Sequence, residues 1–379
     1  MYHIALKMLL GNRSKYLVLV SGLTFATLLM TQQCAIFCGL MLWTTGSLQN
    51  MRAKIWVADP KVEQVNEVRQ LRDTDVGRVR SAEGTAWAVP LLWGLQQAKL
   101  ADGTFKQIQL VGLESATLVG RPYQMVAGRI EDVRLPNAVL IDELAITRLS
   151  AGRRKPIGLG DTFEINDREA RVVGICRTAK SFFGMPYIFT TYDQALQFAP
   201  KTRKILSFVL AEPAEGWTAE ATARAIERAT GLRAYTENDF FWATIRWYFR
   251  NTGIPMSFGI TILLGFAVGV AVSGQTFYTF VLENLRHLGA LKAMGASDGL
   301  LARMLVLQAF TVGLIGYGLG IGLTCLFGLL VLKKGEPPFM LPYPVPLGAL
   351  GVVIFICIFA ALLGIRQIRK LEPAVVFRG

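Results

Sequence analysis

The sequence predicts an α-helical membrane protein with four transmembrane helices and a large two-part α/β domain inserted between helices 1 and 2. Three observations predict it. Four uncharged apolar runs are about as long as the ~20 residues that cross a bilayer. The stretch between the first two runs is polar and alternates strand with helix signals. Basic residues gather where four crossings put them on one side.

Residues 16–43, 254–282, 304–332 and 347–365 are the expected spans. Lys7, Arg13 and Lys15 precede the first, as in a secretory signal. Its apolar core, however, is about twice the 7–15 residues of a signal h-region, and no A-x-A site closes it, so it reads as a retained anchor. Residues 1–15 interleave apolar and charged side chains, either as a helix along the membrane surface or as a frayed basic leader.

A net charge of +13 invites a nucleic-acid partner, but the placement of the charges decides against one. Arg286, Lys292 and Arg303 lie in the central loop, and Arg366, Arg369, Lys370 and Arg378 follow the last span. With the leader they mark one side, the cytoplasmic one by the positive-inside rule, against only Lys333 and Lys334 opposite. Both termini are expected there. Cys34, Cys38, Cys325 and Cys357 fall inside spans and only Cys176 outside, so no disulfide framework is available. His3 and His287 are far from any paired cysteines, so no zinc site is expected.

The domain at residues 44–250 is read from its punctuation. Strands at 54–58 and 86–92 flank a helix at 61–72, and strands 95–100 and 107–113 form a hairpin about Asp102-Gly103. Further on come strand 137–142, helix 143–149, and strands 161–165 and 170–175 around an Asn166-Asp167-Arg168 turn. Strand 206–211, helix 219–230 and strand 232–236 complete it. An outer part, residues 44–114 and 205–239, is therefore interrupted by an inserted part, 115–204.

Residues 240–253 crowd aromatic and basic side chains just before a span, and are expected to form a stalk helix with Trp242, Trp247 and Tyr248 at the membrane interface. Stacking on nucleic acid is the weaker reading there. Thr31, Gln32 and Gln33 sit together in span 1, where amides usually face another helix. Gly265 and Gly269 in span 2, and Gly316, Gly318, Gly320 and Gly322 in span 3, suit close packing within the bundle or between copies. Residues 333–346 are a Pro-rich external connector.

The loop at 283–303 is too polar for lipid and too short for a domain. Leu285, Leu288, Leu291 and Met294 recur every third residue while Arg286, His287 and Lys292 point elsewhere, the pattern of a short amphipathic helix lying along the membrane. Gly295 then signals a stop, and Ser297 with Asp298 a new N-cap. On these residues alone it is either a connecting helix or a docking element.

The pattern E-N-L-R-x-x-G-A-L-K-A-M-G-A-S from Glu283, with Gln308 beyond it, resembles the cytoplasmic loop of FtsX-like, MacB-type ABC permeases. The stretch Gln275 to Arg286 and the tail Leu371 to Arg378 look most like the DevC-type members. The resemblance implies a coupling helix that sits on a separate ATPase subunit, with Glu283, Arg286, His287, Leu288, Leu291, Lys292, Met294 and Gly295 as the coupling residues. It also implies an N-terminal elbow at 1–15, a periplasmic location for the two-part domain in a bacterial inner membrane, and a homodimer. A periplasmic adaptor and an outer-membrane duct are further implied partners. Family members often carry Glu just before the first Gly of the motif and an acidic residue near the next span; His287 or Leu288 and Gln308 stand there in this chain.

No G-x-x-x-x-G-K-[ST] occurs, so ATP and Mg are expected on the partner chain, with no cofactor, catalytic residue or metal here. The spans hold no interior Asp or Glu, against a proton- or sodium-coupled carrier. The expected function is that of an exporter permease, non-catalytic, that relays ATPase-driven motion to the external domain and moves cargo toward the adaptor and duct. Alternatives are a lipoprotein-releasing relative and a membrane-anchored receptor without an ATPase.

Overall fold

The computed structural model describes residues 2–11, 13–200, 206–334 and 336–369. The chain divides into two compact units: residues 1–40 with 253–379, and residues 41–252. Among the described residues, four helices are long and apolar enough to cross a membrane, at Tyr16–Thr44, Ile254–Glu283, Asp298–Lys333 and Pro344–Arg366.

The helical unit opens with α1 (Tyr2–Gly11) and the span helix α2 (Arg13–Thr44). Ala5 and Leu9, one helical turn apart, are buried, so the leader is a packed helix rather than a frayed end.

The α/β unit follows. Its elements are α3 (Gly46–Met51), β1 (Ile55–Ala58), α4 (Asp75–Arg80), β2 (Thr85–Lys99), β3 (Phe105–Leu113) and β4 (Gln124–Gly128). After a 3-10 turn at Ile130–Arg134 come β5 (Ala138–Asp142), α5 (Glu143–Arg148), β6 (Thr162–Ile165), β7 (Arg168–Arg177) and β8 (Tyr187–Thr191). The chain continues through α6 (Tyr192–Phe198), β9 (Phe208–Pro213), α7 (Ala219–Thr230), β10 (Arg233–Thr236) and α8 (Glu237–Asn251).

All ten strands join one sheet, ordered β10-β1-β9-β2-β3-β8-β5-β7-β4, with β6 pairing both β2 and β7. The pairs β3–β8 and β5–β7 are parallel and the rest antiparallel. Central strands such as β5 and β8 are buried at every position, as strands covered on both faces must be. In β1 the alternation is explicit: Ile55 and Val57 enter a core shared with α4 and α7, while Trp56 and Ala58 enter the core on the other face.

Two expectations are corrected here. Residues 61–72 are not helical. Val62, Val65, Val68 and Leu71 imitate a helical period, but two backbone groups that a helix would pair internally bond outside the segment. Val65 N donates to Thr244 Oγ1 at 3.1 Å, and Val62 O accepts from Tyr235 at 2.8 Å. The helix of this region lies later, at α4. Strands 86–92 and 95–100 are one strand, because Trp93 and Gly94 keep pairing with Val111 and Leu110. β2 thus joins the two sides of the sheet: Thr85–Leu91 pairs with β9 and Leu92–Lys99 with β3. Consequently Ala98, Leu100, Ile108 and Leu110, assigned to the outer part, pack in one core with Ile141, Phe163 and Ile188 of the inserted part. β4, α6 and β8 carry no expectation from sequence, and residues 201–204 lie outside the described residues.

Local chemistry sets the helix ends that the sequence shows well. Thr218 accepts from Ala221 N at 3.2 Å to start α7, and Gly231 closes it with φ +71°. Thr236 likewise caps α8 through Asp239 N at 3.1 Å.

The helical unit resumes with α9 (Ile254–Glu283), α10 (Leu285–Ala293), α11 (Asp298–Lys334) and α12 (Pro344–Arg369). The third span helix begins at Asp298, before the expected residue 304, because Ser297 caps it: Leu300 N donates to Ser297 Oγ at 3.3 Å. Small residues set the packing. A Cβ on Gly316 or Gly320 of α11 would come within 2.7 Å of Leu23 or 2.6 Å of Thr27 on α2, and one on Gly269 of α9 within 2.7 Å of Ala26. Gly318 and Gly322 face open space. The polar contact of span 1 is made by Thr31, whose hydroxyl meets that of Thr324 at 2.7 Å, rather than by Gln32 or Gln33. Lys370 and the tail beyond it, with Arg378, lie outside the described residues.

Candidate functional site

The helix α10 is a nine-residue insert between two long apolar helices, and its corner is built by backbone hydrogen bonds. Gly295 N donates to Lys292 O and Ala296 N to Leu291 O, both at 3.0 Å, the paired bonds of a Schellman stop. Gly295 has φ +95°, which a residue with a Cβ adopts only with strain. Ala296 and Leu291, the apolar pair that accompanies this motif, both enter the core of the helical unit. Across the corner Lys292 Nζ pairs with Asp298 at 2.8 Å. The turn is therefore fixed by its own residues.

The expected coupling residues divide into two sets. Leu288 and Leu291 are buried in the core with Ala5, Leu9, Leu301 and Leu305, and Leu285 packs against its edge. Glu283, Arg286, His287 and Met294 are exposed. Met294 is 75% exposed, which corrects its assignment to the apolar face: it follows the last helical residue, where the chain has left the helical period. Arg286 has no ion-pair partner among the described residues.

The exposed side of α10 forms one wall of an open groove of about 710 Å³, and α1 forms the other with Lys7, Met8 and Gly11. Lys7 and Met8 line this groove and are absent from the set expected from sequence. The available signal is the apolar pair Ala5 and Leu9, which fixes the face that α1 buries and hence the face it leaves. Gln308 of α11 locks this arrangement, donating from Nε2 to Ala5 O at 2.7 Å while fully buried. An amide rather than a carboxylate suits that position, because it donates to a carbonyl and carries no charge into the core.

The second predicted set lies on α8. Phe240, Thr244 and Tyr248 recur every fourth residue on its buried side. Tyr248, expected at the membrane interface, is 4% exposed. Its ring meets Phe182 at 5.1 Å and its hydroxyl accepts from Asn66 at 3.4 Å, so it is a core residue of the α/β unit. Burial pushes its hydroxyl pKa up, offset in part by the Asn66 bond. Trp247 is half-buried beside it, and only Trp242, at 55%, is broadly exposed.

One buried carboxylate stands apart from both helices. Asp142 caps α5, accepting from Ala145 N at 2.7 Å, from Tyr187 N at 3.0 Å and from the Thr178 hydroxyl at 3.2 Å. Burial nevertheless pushes its pKa up to about 6, against those three donors and with the neighbouring Glu143 charge adding to the rise. Among the described residues no group of three or more His, Cys, Asp or Glu could hold a metal.

Among the described residues, four apolar helices, a capped loop helix between the second and third, and a ten-stranded mixed α/β unit define a membrane-embedded protein. Residues 21–229 match the MacB-like periplasmic core domain, and residues 241–373 match the FtsX-like permease C-terminal domain. The chain belongs to this family: it is an ABC transporter permease of the MacB/FtsX type. It is 26% identical over 318 residues to an uncharacterized ABC transporter permease of Mycobacterium tuberculosis, covering 81% of this chain and 79% of that one. A similar permease of Mycobacterium bovis is 25% identical over 311 residues, 80% of this chain and 78% of the relative. The crystal structure of the periplasmic region of MacB from Actinobacillus actinomycetemcomitans matches with TM-score 0.39 and 15% identity, over 54% of this chain and 95% of that one.

Proposed function

We propose that this permease is the non-catalytic membrane subunit of an exporter, and that α10 is its coupling helix. A separate ATPase, carrying the ATP and Mg, would dock on the exposed residues Glu283, Arg286, His287 and Met294. Motion applied there would pass into the spans through Leu288 and Leu291. One observation carries this reading: α10 is clamped into the helical core on one face, stopped by its own hydrogen bonds, and bare on the other. A mere connector needs no such rigidity.

The basic residues beside the spans support a bacterial inner-membrane orientation with both termini cytoplasmic and the α/β unit periplasmic. In that orientation a homodimer would deliver cargo from its periplasmic domains to an adaptor and an outer-membrane duct. Nothing in the charge distribution favours a nucleic-acid partner.

The test is recovery of a P-loop ATPase with the full chain from native membranes. Arg286→Glu and Met294→Asp alter only exposed atoms, and each should lower recovery by about tenfold, as loss of a docking hot spot does. Lys292→Glu is a poor probe of docking, because it also removes the ion pair with Asp298 across the corner. If neither exposed change lowers ATPase recovery below that of the unchanged chain, α10 is not the docking helix.

A further inference from the structure

A groove runs along α8 where it faces α7 and β10. Its two stretches, about 490 and 360 Å³, share Arg233, Tyr235, Ala243 and Arg246. They differ in charge. The end toward α7 sets Glu220, Glu227 and Asp239 against three arginines and is balanced. The end toward the C-terminus of α8 holds Arg246 and Arg250 against Glu63, beside an Arg233 already paired with Glu227.

We propose that this arginine end binds the phosphate of an anionic lipid headgroup. Arg246 and Arg250 are one turn apart on the exposed side of α8 and have no ion-pair partner among the described residues. Arg233 is already ordered, with Nε 3.4 Å from Glu227 and its guanidinium 5.2 Å over the Tyr235 ring. Planar guanidinium forks match phosphate oxygens, and a pre-ordered one loses less freedom on binding.

The source of the phosphate follows from the chain. The span helix begins at Ile254, four residues after Arg250. Four residues reach at most about 14 Å even fully extended, so Arg250 is tethered within that reach of the start of the span helix. Trp247, half-buried against Tyr248 at 5.2 Å, adds the amphipathic ring favoured at that depth. The site depends on the span at 254–283 and on no transport step.

The full chain, purified in neutral detergent, is offered equal phosphatidylglycerol and phosphatidylcholine, and retained lipid is counted by native mass spectrometry. The unchanged protein should prefer phosphatidylglycerol, and Arg246→Gln/Arg250→Gln should reduce that preference by about 25-fold, at about fivefold per basic residue at an anionic surface. Arg246→Lys/Arg250→Lys, which keeps charge but loses the fork, should fall between. Excess glycerol phosphate should not displace the lipid. No preference in the unchanged protein, or the same preference in the Gln variant, overturns the proposal. Full displacement by glycerol phosphate also overturns it, and assigns the arginines to a soluble phosphate instead.

Discussion

The span helix α9 has a short amphipathic helix at each end of it in the chain, α8 before and α10 after, and the two are anchored differently. α8 buries Phe240, Thr244 and Tyr248 in the core of the α/β unit, where Phe240 stacks on Tyr235 at 4.5 Å. α10 buries Leu288 and Leu291 in the core of the helical unit and ends in a Schellman stop. One is held by aromatic packing against a sheet, the other by aliphatic packing plus a backbone corner. α8 therefore resists being pulled from its domain, whereas α10 resists changing its angle.

The largest expected effect tests the aromatic anchor. Tyr248→Ala should cost the α/β unit about 3–5 kcal/mol, the usual range for deleting a buried aromatic ring. Trp242→Ala, six residues earlier but on the exposed side, should stay within about 0.5 kcal/mol. Thermal unfolding followed by near-UV circular dichroism reads both. Equal losses would mean that the burial of α8 is not the division described.

The next separates the two cores by pH. Asp142 has a folded pKa of about 6 against an ordinary 3.8, so the folded state holds its proton more tightly than the unfolded one. Its contribution is full below pH 3.8 and is lost as pH rises through 6, about 3 kcal/mol in all. Asp142→Asn should flatten that dependence of the α/β unit between pH 4 and 7. Leu288 and Leu291, the anchors of α10, carry no titratable group, and their packing should not follow this curve.

The two helices were unequally legible in the sequence, for a physical reason. The end of α10 is written in adjacent residues: Gly295 for the left-handed position, Ser297 and Asp298 for the next cap. Local chemistry of this kind survives in any context. Met294 was misplaced because a three-residue spacing was extended one step beyond the helix end. For α8 the sequence showed a helix crowded with aromatics but not which of them face inward, since Trp and Tyr suit a membrane interface and a domain core equally well. Only the partners of Tyr248, Phe182 and Asn66, decide, and they lie far away in the chain. The same limit hid β8 and the true extent of β2, whose pairing is fixed by strands distant in sequence. Composition located the four apolar helices because twenty uncharged residues need no partner to be recognised.

A smaller effect probes the corner itself. Gly295→Ala forces a Cβ into φ +95°, with nothing within 4 Å to clash, so the cost is backbone strain alone, about 1–2 kcal/mol. If the change is neutral, the Schellman stop does not hold the angle of α10.

The smallest effect distinguishes a residue that builds the corner from one that presents it. Lys292 and Asp298 form a partly exposed pair, with side chains 22% and 50% accessible, so Lys292→Gln should cost less than about 1 kcal/mol. In 1 M salt, where screening acts over about 3 Å, even that difference should shrink. Arg286→Gln removes no ion pair among the described residues and should leave stability unchanged at any salt, while weakening whatever binds the exposed face of α10. A matching salt-dependent loss for Arg286→Gln would place that residue in the corner and leave Glu283, His287 and Met294 as the presented surface.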